Sequence, residues 1–149
     1  MLKNYYVEAY EILRSILPLF LGLQNIHNRG SRNSFEPEIA NEFNKIQTIS
    51  DYDKQVQNKG NKIKFFNKEN IFFPLLDPSI LDNIVRNSIG HHSYEYESDQ
   101  QLIKFKDKSK NQELYIIEFG NLLYRSIHTT LAAFEIIMFL KHEVSDENE

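Results

Sequence analysis

The sequence contains no cysteine and no tryptophan among its 149 residues, and it has only five glycines. Without cysteine, the chain forms no disulfide, no catalytic thiolate and no cysteine-ligated zinc site. The glycines are scattered, so no glycine-rich loop is available to cradle a phosphate. We therefore expect no bound cofactor.

Long apolar runs and a positive net charge are also missing. The longest apolar stretches, Ile12–Leu23 and Ile127–Leu140, are interrupted by polar residues or proline, and a membrane span needs about 20 apolar residues. Glu8 and Glu11 lie where a secretory signal would need an apolar run. The net charge of −4 argues against nonspecific coating of nucleic acid, because that affinity comes from Lys and Arg on phosphates. We expect a cytoplasmic protein that does not enter a membrane.

The composition that remains is globular, with 41% hydrophobic and 26% charged residues. Aromatic side chains are abundant, at 11 Phe and 8 Tyr, and each of them contributes a large area to a core. The length suits a single domain over residues 1–149. The acidic residues 143–149 are expected to form a frayed tail.

Apolar residues recur at helical spacing in four segments of the chain. The first predicted helix covers Asn4–Leu23, where Pro18 should end or kink it late, and a polar loop is expected over Asn25–Asn33. The second predicted helix starts near Ser34 as its N-cap and stops before Gly60.

The third predicted helix starts at Asp77-Pro78, an N-cap followed by proline at the first helical position, and Gly90 is its expected C-terminal cap. The last predicted helix runs from Glu118 to about His142. Its expected buried face consists of Phe119, Leu122, Leu123, Ile127, Leu131, Phe134 and Met138.

Between these two helices the spacing changes to that of strands. Tyr94 and Tyr96 alternate with acidic residues, and from Ile103 apolar residues alternate with lysines, which predicts a two- or three-stranded meander over Ser93–Ile117. The apolar residues of Lys62–Phe73 have no clear period and leave strand, helix and packed loop open. The expected fold is mainly α, a bundle of about four to five helices with a small β-meander before the last one.

Reactive side chains concentrate in Arg86-Asn87-Ser88-Ile89-Gly90-His91, at the end of the third predicted helix. A guanidinium fork matches phosphate oxygens, and histidine titrates near neutral pH, as proton transfer requires. Arg86 and His91 are five residues apart, roughly 140° around a helix. A long Arg side chain, a helix that ends at Gly90, or a second subunit must therefore bring them together.

This stretch resembles the R-x(4–6)-H motif of the HEPN superfamily. The order of elements over Ile71–Lys141 also agrees with that family. The resemblance implies a usually dimeric helical bundle that acts as a metal-independent endoribonuclease of a toxin or antiviral defence system, with a composite RNA-cleaving site at the dimer interface. It implies that Arg86 stabilises the phosphate, that Asn87 orients Arg86, and that His91 is the general base or acid. An antitoxin is a further partner that it implies.

His92 is the alternative catalytic histidine, because it also falls within the spacing of the motif. His92-Ser93-Tyr94 is similar to the H-x-Y ending of some HEPN toxins, in which the tyrosine is modified by a partner nucleotidyltransferase. The choice between His91 and His92 stays open, and Tyr94 is a candidate modification site.

Plainer interpretations exist for each of these residues. Arg86 could form a salt bridge with Asp82 or Glu95, and Asn87 could cap the helix. The molecule could then be a non-catalytic HEPN-like module that binds a nucleotide, RNA or a partner protein. The histidines and nearby acidic residues lack the spacing of a metal site. Four lysines are either RNA contacts or solvated residues. These are Lys59, Lys62, Lys64 and Lys68.

Overall fold

The computed structural model describes residues 2–43, 46–56, 59–66 and 80–146. Of these residues, 66% are helical, in six helices, and a three-stranded antiparallel sheet accompanies them. The prediction of a mainly α chain with a small β-meander is confirmed. Within the same ranges, no helix carries an apolar stretch long enough to cross a bilayer.

The chain folds into two compact units, one drawn from Met1–Leu13 and Asp82–Glu149 and the other from Arg14–Leu81. The first helix runs through both of them. The helices are α1 (Leu2–Arg29), α2 (Pro37–Glu42), α3 (Ile49–Gln55), α4 (Lys59–Ile63), α5 (Asn83–Gly90) and α6 (Ile116–Asp146). The strands are β1 (Tyr94–Glu97), β2 (Leu102–Asp107) and β3 (Lys110–Tyr115).

Helix α1 is longer than predicted, because it continues through Pro18 and past Leu23. The prediction of a loop from Asn25 was therefore wrong at its start. The amide side chains of Gln24 and Asn25 are buried, and each donates a 2.9 Å hydrogen bond to a backbone carbonyl within the unit Arg14–Leu81. These hydrogen bonds make the burial of the two amides possible, which composition alone does not reveal.

The predicted second helix is two helices, α2 and α3, because a separate cap starts α3. Thr48 accepts a 3.1 Å hydrogen bond from the Asp51 backbone N–H, and the Asp51 carboxylate accepts a 2.9 Å bond from the Thr48 N–H. The hydrogen bond from the Thr48 side chain lowers the pKa of Asp51 below its ordinary value. The core of this unit consists of Leu21, Ile46, Tyr52, Val56 and Phe65.

The segment Lys62–Phe73, for which the sequence predicts no single structure, is only partly described. Its first two residues complete α4, and Phe65 is buried. Residues 67–79, with the predicted helix start at Asp77-Pro78, lie outside the described residues.

In the other unit, tyrosines of α1 hold the start of α5. The Tyr6 hydroxyl accepts a 3.1 Å bond from the Asp82 N–H and donates a 3.3 Å bond to the Asp82 carbonyl, while the Tyr10 hydroxyl donates to Asn83 Oδ1. Burial raises the pKa of Tyr6 far above its ordinary value, so it stays neutral. The core of this unit includes Tyr6, Tyr10, Leu13, Val85, Ile89, Phe105, Phe119 and Leu123.

The predicted meander is confirmed as strands in the order β1-β2-β3, with Tyr94 opposite Phe105. In β1 and in the middle of β2, the alternation places Tyr94, Tyr96 and Phe105 on one face and charged side chains on the other. On the charged face, Lys104 pairs with Glu97, and this hydrogen bond raises the pKa of Lys104. Lys106 pairs with Glu95 at 3.1 Å, so both lysines of β2 pair with carboxylates of β1.

Helix α6 buries a different face from the one predicted. Of the expected core residues, Phe119 and Leu123 are buried, and Leu122 is intermediate. Four others were predicted wrongly, because small residues of the adjacent face are buried in their place. Those exposed are Ile127, Leu131, Phe134 and Met138, and those buried instead are Ser126, Thr130 and Ala133.

Candidate active site at the end of α5

The motif lies on the short helix α5, which a side-chain cap starts. The Asp82 carboxylate accepts hydrogen bonds of 2.8 and 3.1 Å from the Ile84 and Val85 N–H groups. Helix α5 therefore begins at Asn83, and the predicted start at Asp77-Pro78 lies outside the described residues. The buried residues of α5 leave Arg86 and Asn87 partly exposed. They are Val85, Ser88 and Ile89.

The guanidinium of Arg86 is fixed by two neighbours. Its Nε and Nη2 atoms donate to one carboxylate oxygen of Glu11, at 2.8 and 2.6 Å. Its Nη1 donates to Asn87 Oδ1 at 3.1 Å. The Arg86 side chain keeps 28% of its surface exposed, so the group is held in one orientation and still meets solvent.

Asn87 extends this network to the sheet. Its Nδ2 donates a 2.8 Å hydrogen bond to the Asp107 carboxylate, at the end of β2. The amide therefore accepts from Arg86 and donates to Asp107, which fixes its orientation. Four residues from three elements form one hydrogen-bonded chain, and the role of orienting Arg86 falls to Glu11 as well as to Asn87.

The end of α5 places the two histidines in solvent. The Ser93 N–H donates to the Ser88 carbonyl at 2.8 Å and the His92 N–H donates to the Ile89 carbonyl at 3.2 Å, the pattern of a Schellman cap. The left-handed residue of this cap is His92, with φ 55°, whereas Gly90 was the expected cap. Gly90 is instead the last helical residue, and His91 follows it as the exposed C-cap.

Arg86 reaches the same end of the helix as His91. Its Nη1 lies 3.9 Å from the point where a Cβ on Gly90 would stand, so the guanidinium runs along the final turn. The helix ends at Gly90, which is one of the three arrangements that can bring the side chains of Arg86 and His91 together. Among the described residues, neither histidine hydrogen-bonds to the guanidinium.

Glu11 and Asp107 are the site residues that sequence reasoning missed. Glu11 is 75 positions from Arg86, and Asp107 is 20 positions from Asn87. Helical spacing pointed to Asp82 as a partner of Arg86, but the Asp82 carboxylate is used as the N-cap. The only signal for Glu11 is that it borders the buried face of α1, next to Tyr10.

Tyr94 lies away from this network, on the apolar face of the sheet. Its ring is partly buried, and the Lys3 ammonium lies 4.2 Å from the ring centroid. Tyr94 lines an open pocket of about 450 Å³ whose walls are almost entirely apolar. Ile89 of α5 also lines it, but Arg86 and His91 do not.

The candidate RNA-binding lysines belong to the unit Arg14–Leu81. The Lys62 side chain is 3% exposed, with its ammonium 2.6 Å from the Asp53 carboxylate, so it is not accessible to a phosphate. Lys64 is half exposed and pairs with Glu42 at 2.8 Å. The side chain of Lys59 and the whole of Lys68 lie outside the described residues.

Other chemistry near the motif is limited. In the described part of the chain, no three His, Asp or Glu side chains converge as metal ligands. The buried Ser88 hydroxyl has no hydrogen-bond partner there.

Comparison with protein-family models, curated proteins and solved structures finds no match for this chain.

Proposed function

We propose that the protein is a metal-independent endoribonuclease of the HEPN type, acting as a cytoplasmic homodimer in a toxin or antiviral defence system. Arg86 binds the scissile phosphate and His91 transfers the proton. The homodimer and the biological setting come from the resemblance of Arg86–His91 to the HEPN motif. The site chemistry is supported by the geometry of the residues themselves.

The observation that carries the proposal is the oriented, partly exposed guanidinium of Arg86 beside the helix end that bears His91. The contacts to Glu11 and Asn87 use three of the five N–H groups of the guanidinium, and the remaining two can meet phosphate oxygens. A pre-oriented donor loses little entropy when the phosphate arrives, and it stabilises charge that develops in the transition state.

The reaction needs no metal. The neutral His91 imidazole takes the proton of a ribose 2′-hydroxyl, whose oxygen attacks the adjacent phosphorus. The bond from phosphorus to the 5′-oxygen breaks, that oxygen takes a proton from a solvent water as it leaves, and the His91 imidazolium returns its proton to solvent. The products are a 2′,3′-cyclic phosphate and a 5′-hydroxyl, while Arg86 neutralises the charge on the phosphoryl oxygens.

The direct test is RNA cleavage in EDTA. Wild-type protein is expected to cut RNA, and His91→Ala is expected to lose at least about 100-fold in rate, the lower end of general acid–base contributions. Arg86→Lys is expected to lose a similar factor, because it keeps the charge but not the fork.

His27→Ala is the matched control, since His27 is also an exposed histidine and lies on α1. It should cut RNA at the wild-type rate. If wild-type protein cuts no RNA in EDTA, or if His91→Ala and His92→Ala both cut at the wild-type rate, the ribonuclease proposal is wrong.

A non-catalytic HEPN-like module that binds a nucleotide, RNA or a partner protein is the second candidate. The carboxylates of Glu11 and Asp107 favour it, because they balance the charge of Arg86 and weaken its hold on a phosphate. Thermal shifts with nucleotides and short RNAs separate the candidates. A rise in Tm without RNA turnover supports the module.

A further inference from the structure

Helix α6 has an exposed apolar face in addition to its buried one. We name six of its exposed residues, which lie on one side of the helix, the α6 seam. Their side chains are 38% to 68% exposed, which is unusual for so many large apolar residues on one helix. The seam consists of Ile117, Tyr124, Ile127, Leu131, Phe134 and Met138.

After Leu123, the buried face of α6 carries smaller residues than the seam. Ser126 and Thr130 are buried, and each hydroxyl donates to the backbone carbonyl four residues earlier, so neither requires an external partner. Ala133 is also buried. After Leu123, the large apolar residues of this helix are therefore exposed or only partly buried, the reverse of the arrangement expected for a helix with a single packed face.

The spacing within the seam is that of a coiled coil. Ile117, Tyr124, Leu131 and Met138 are each seven residues apart, and Ile127 and the nearby Phe134 fill the alternate positions. Apolar residues at alternating spacings of three and four form a stripe along one side of a helix, and this stripe packs against the same stripe on a second helix. The seam spans 21 steps, or about 32 Å at 1.5 Å per residue.

The area of the seam is close to what a stable dimer needs. Six large side chains of about 200 Å² each, exposed to this extent, present roughly 700 Å², and a standard interface takes about 800 Å² from each partner. A lipid surface is the poorer occupant, because helices that lie on membranes are rich in Lys and Arg. Along the seam, the basic Arg125 and Lys141 are balanced by Glu118 and Glu135.

We infer that the α6 seam is the surface through which two copies of this chain associate, with their α6 helices antiparallel about a twofold axis. In the register that places Ile127 against Leu131 of the second copy, Tyr124 meets Phe134 and Met138 lies against Gly120, so five of the six seam residues contact the second copy. The inference rests on the proposed function only for the expectation of a homodimer, and it assigns that dimer a surface.

Sedimentation equilibrium tests the association. Wild-type protein is expected at about twice its 17.7 kDa chain mass. Leu131→Glu is expected to raise the dimer Kd by at least about 100-fold, because one carboxylate from each copy would be buried in an apolar seam. Ile26→Glu is the matched control, because Ile26 is 50% exposed on α1 and Leu131 is 55% exposed. It should remain dimeric.

Cysteine cross-linking tests the register, and the chain has no cysteine of its own. A mixture of Tyr124→Cys and Phe134→Cys protein is expected to form the mixed disulfide on oxidation, while neither variant alone cross-links. Cross-linking of Phe134→Cys with itself would overturn the antiparallel arrangement. This measurement does not depend on how well a glutamate variant folds.

A wild-type monomer at hundred-micromolar concentration would overturn the inference, as would a Leu131→Glu dimer of undiminished affinity. RNA cleavage is measured on the same samples. A dimer that cuts no RNA contradicts only the ribonuclease proposal, whereas a monomer that cuts RNA contradicts the seam. The two failures are therefore distinguishable.

Discussion

Arg86 pairs with a carboxylate from a distant part of the sequence, and this contact decides what the residue can do. Glu11 holds the guanidinium in place, but its charge also opposes an approaching phosphate. Asn87 is neutral and orients Arg86 without this repulsion. Orientation and charge balance are therefore separate properties of the site, and a substitution can change one without the other.

Glu11→Gln separates them. The amide oxygen of Gln can still accept from Arg86, so its orientation should persist, while removal of about 1 kcal/mol of repulsion should tighten RNA binding roughly fivefold. The measurement is fluorescence anisotropy with a short RNA on a His91→Ala background, where the RNA stays intact.

Glu8→Gln is the control for this change, since Glu8 is an exposed carboxylate of the same helix. It removes the same charge from the whole molecule. Equal tightening by both variants would mean that net charge, and not the partner of Arg86, governs RNA binding.

At the scale of elements, periodicity predicted the sheet and the existence of the long helices, while their ends required other signals. The separate start of α3 was readable, because Thr48 and Asp51 have the spacing of a capping box. The extension of α1 was not readable, because the buried amide of Gln24 bonds to the backbone of Phe65, 41 positions away, and that of Asn25 bonds to the loop at Arg32. On α6, the sequence offers two apolar faces, and periodicity cannot tell which one the core takes.

The end of α5 carries a backbone conformation that favours glycine. His92 has φ 55°, a left-handed conformation that is costly for a residue with a Cβ. His92→Gly is therefore expected to stabilise the fold by about 1 kcal/mol in urea unfolding. His91→Gly should destabilise it, because His91 has φ −99° and gains nothing from glycine.

The same variant also distinguishes the two histidines chemically. If His91 is the catalytic group, His92→Gly keeps RNA cleavage near the wild-type rate. If His92→Gly is more stable than the wild type but no longer cleaves RNA, His92 is the catalytic histidine. An unchanged free energy of unfolding would contradict the assigned strain.

At the scale of the whole molecule, charge and shape bear on RNA binding differently. The net charge is −4, and Lys62, Lys64 and Lys104 are engaged by carboxylates, so long-range attraction to RNA is small. Binding must then depend on contacts made at a local site. A second copy can supply such contacts, and the proposed dimer makes a shared site possible.

Mixing two inactive variants tests whether one site draws residues from both copies. In a heterodimer of Arg86→Ala and His91→Ala chains, a composite arrangement leaves one site with neither substitution and one with both. Random exchange makes half of the dimers heterodimers, so about a quarter of the wild-type cleavage rate should return. Each variant alone should remain inactive, and Leu131→Glu in both chains should abolish the recovery. If mixing restores nothing while the dimers exchange, Arg86 and His91 act within one chain.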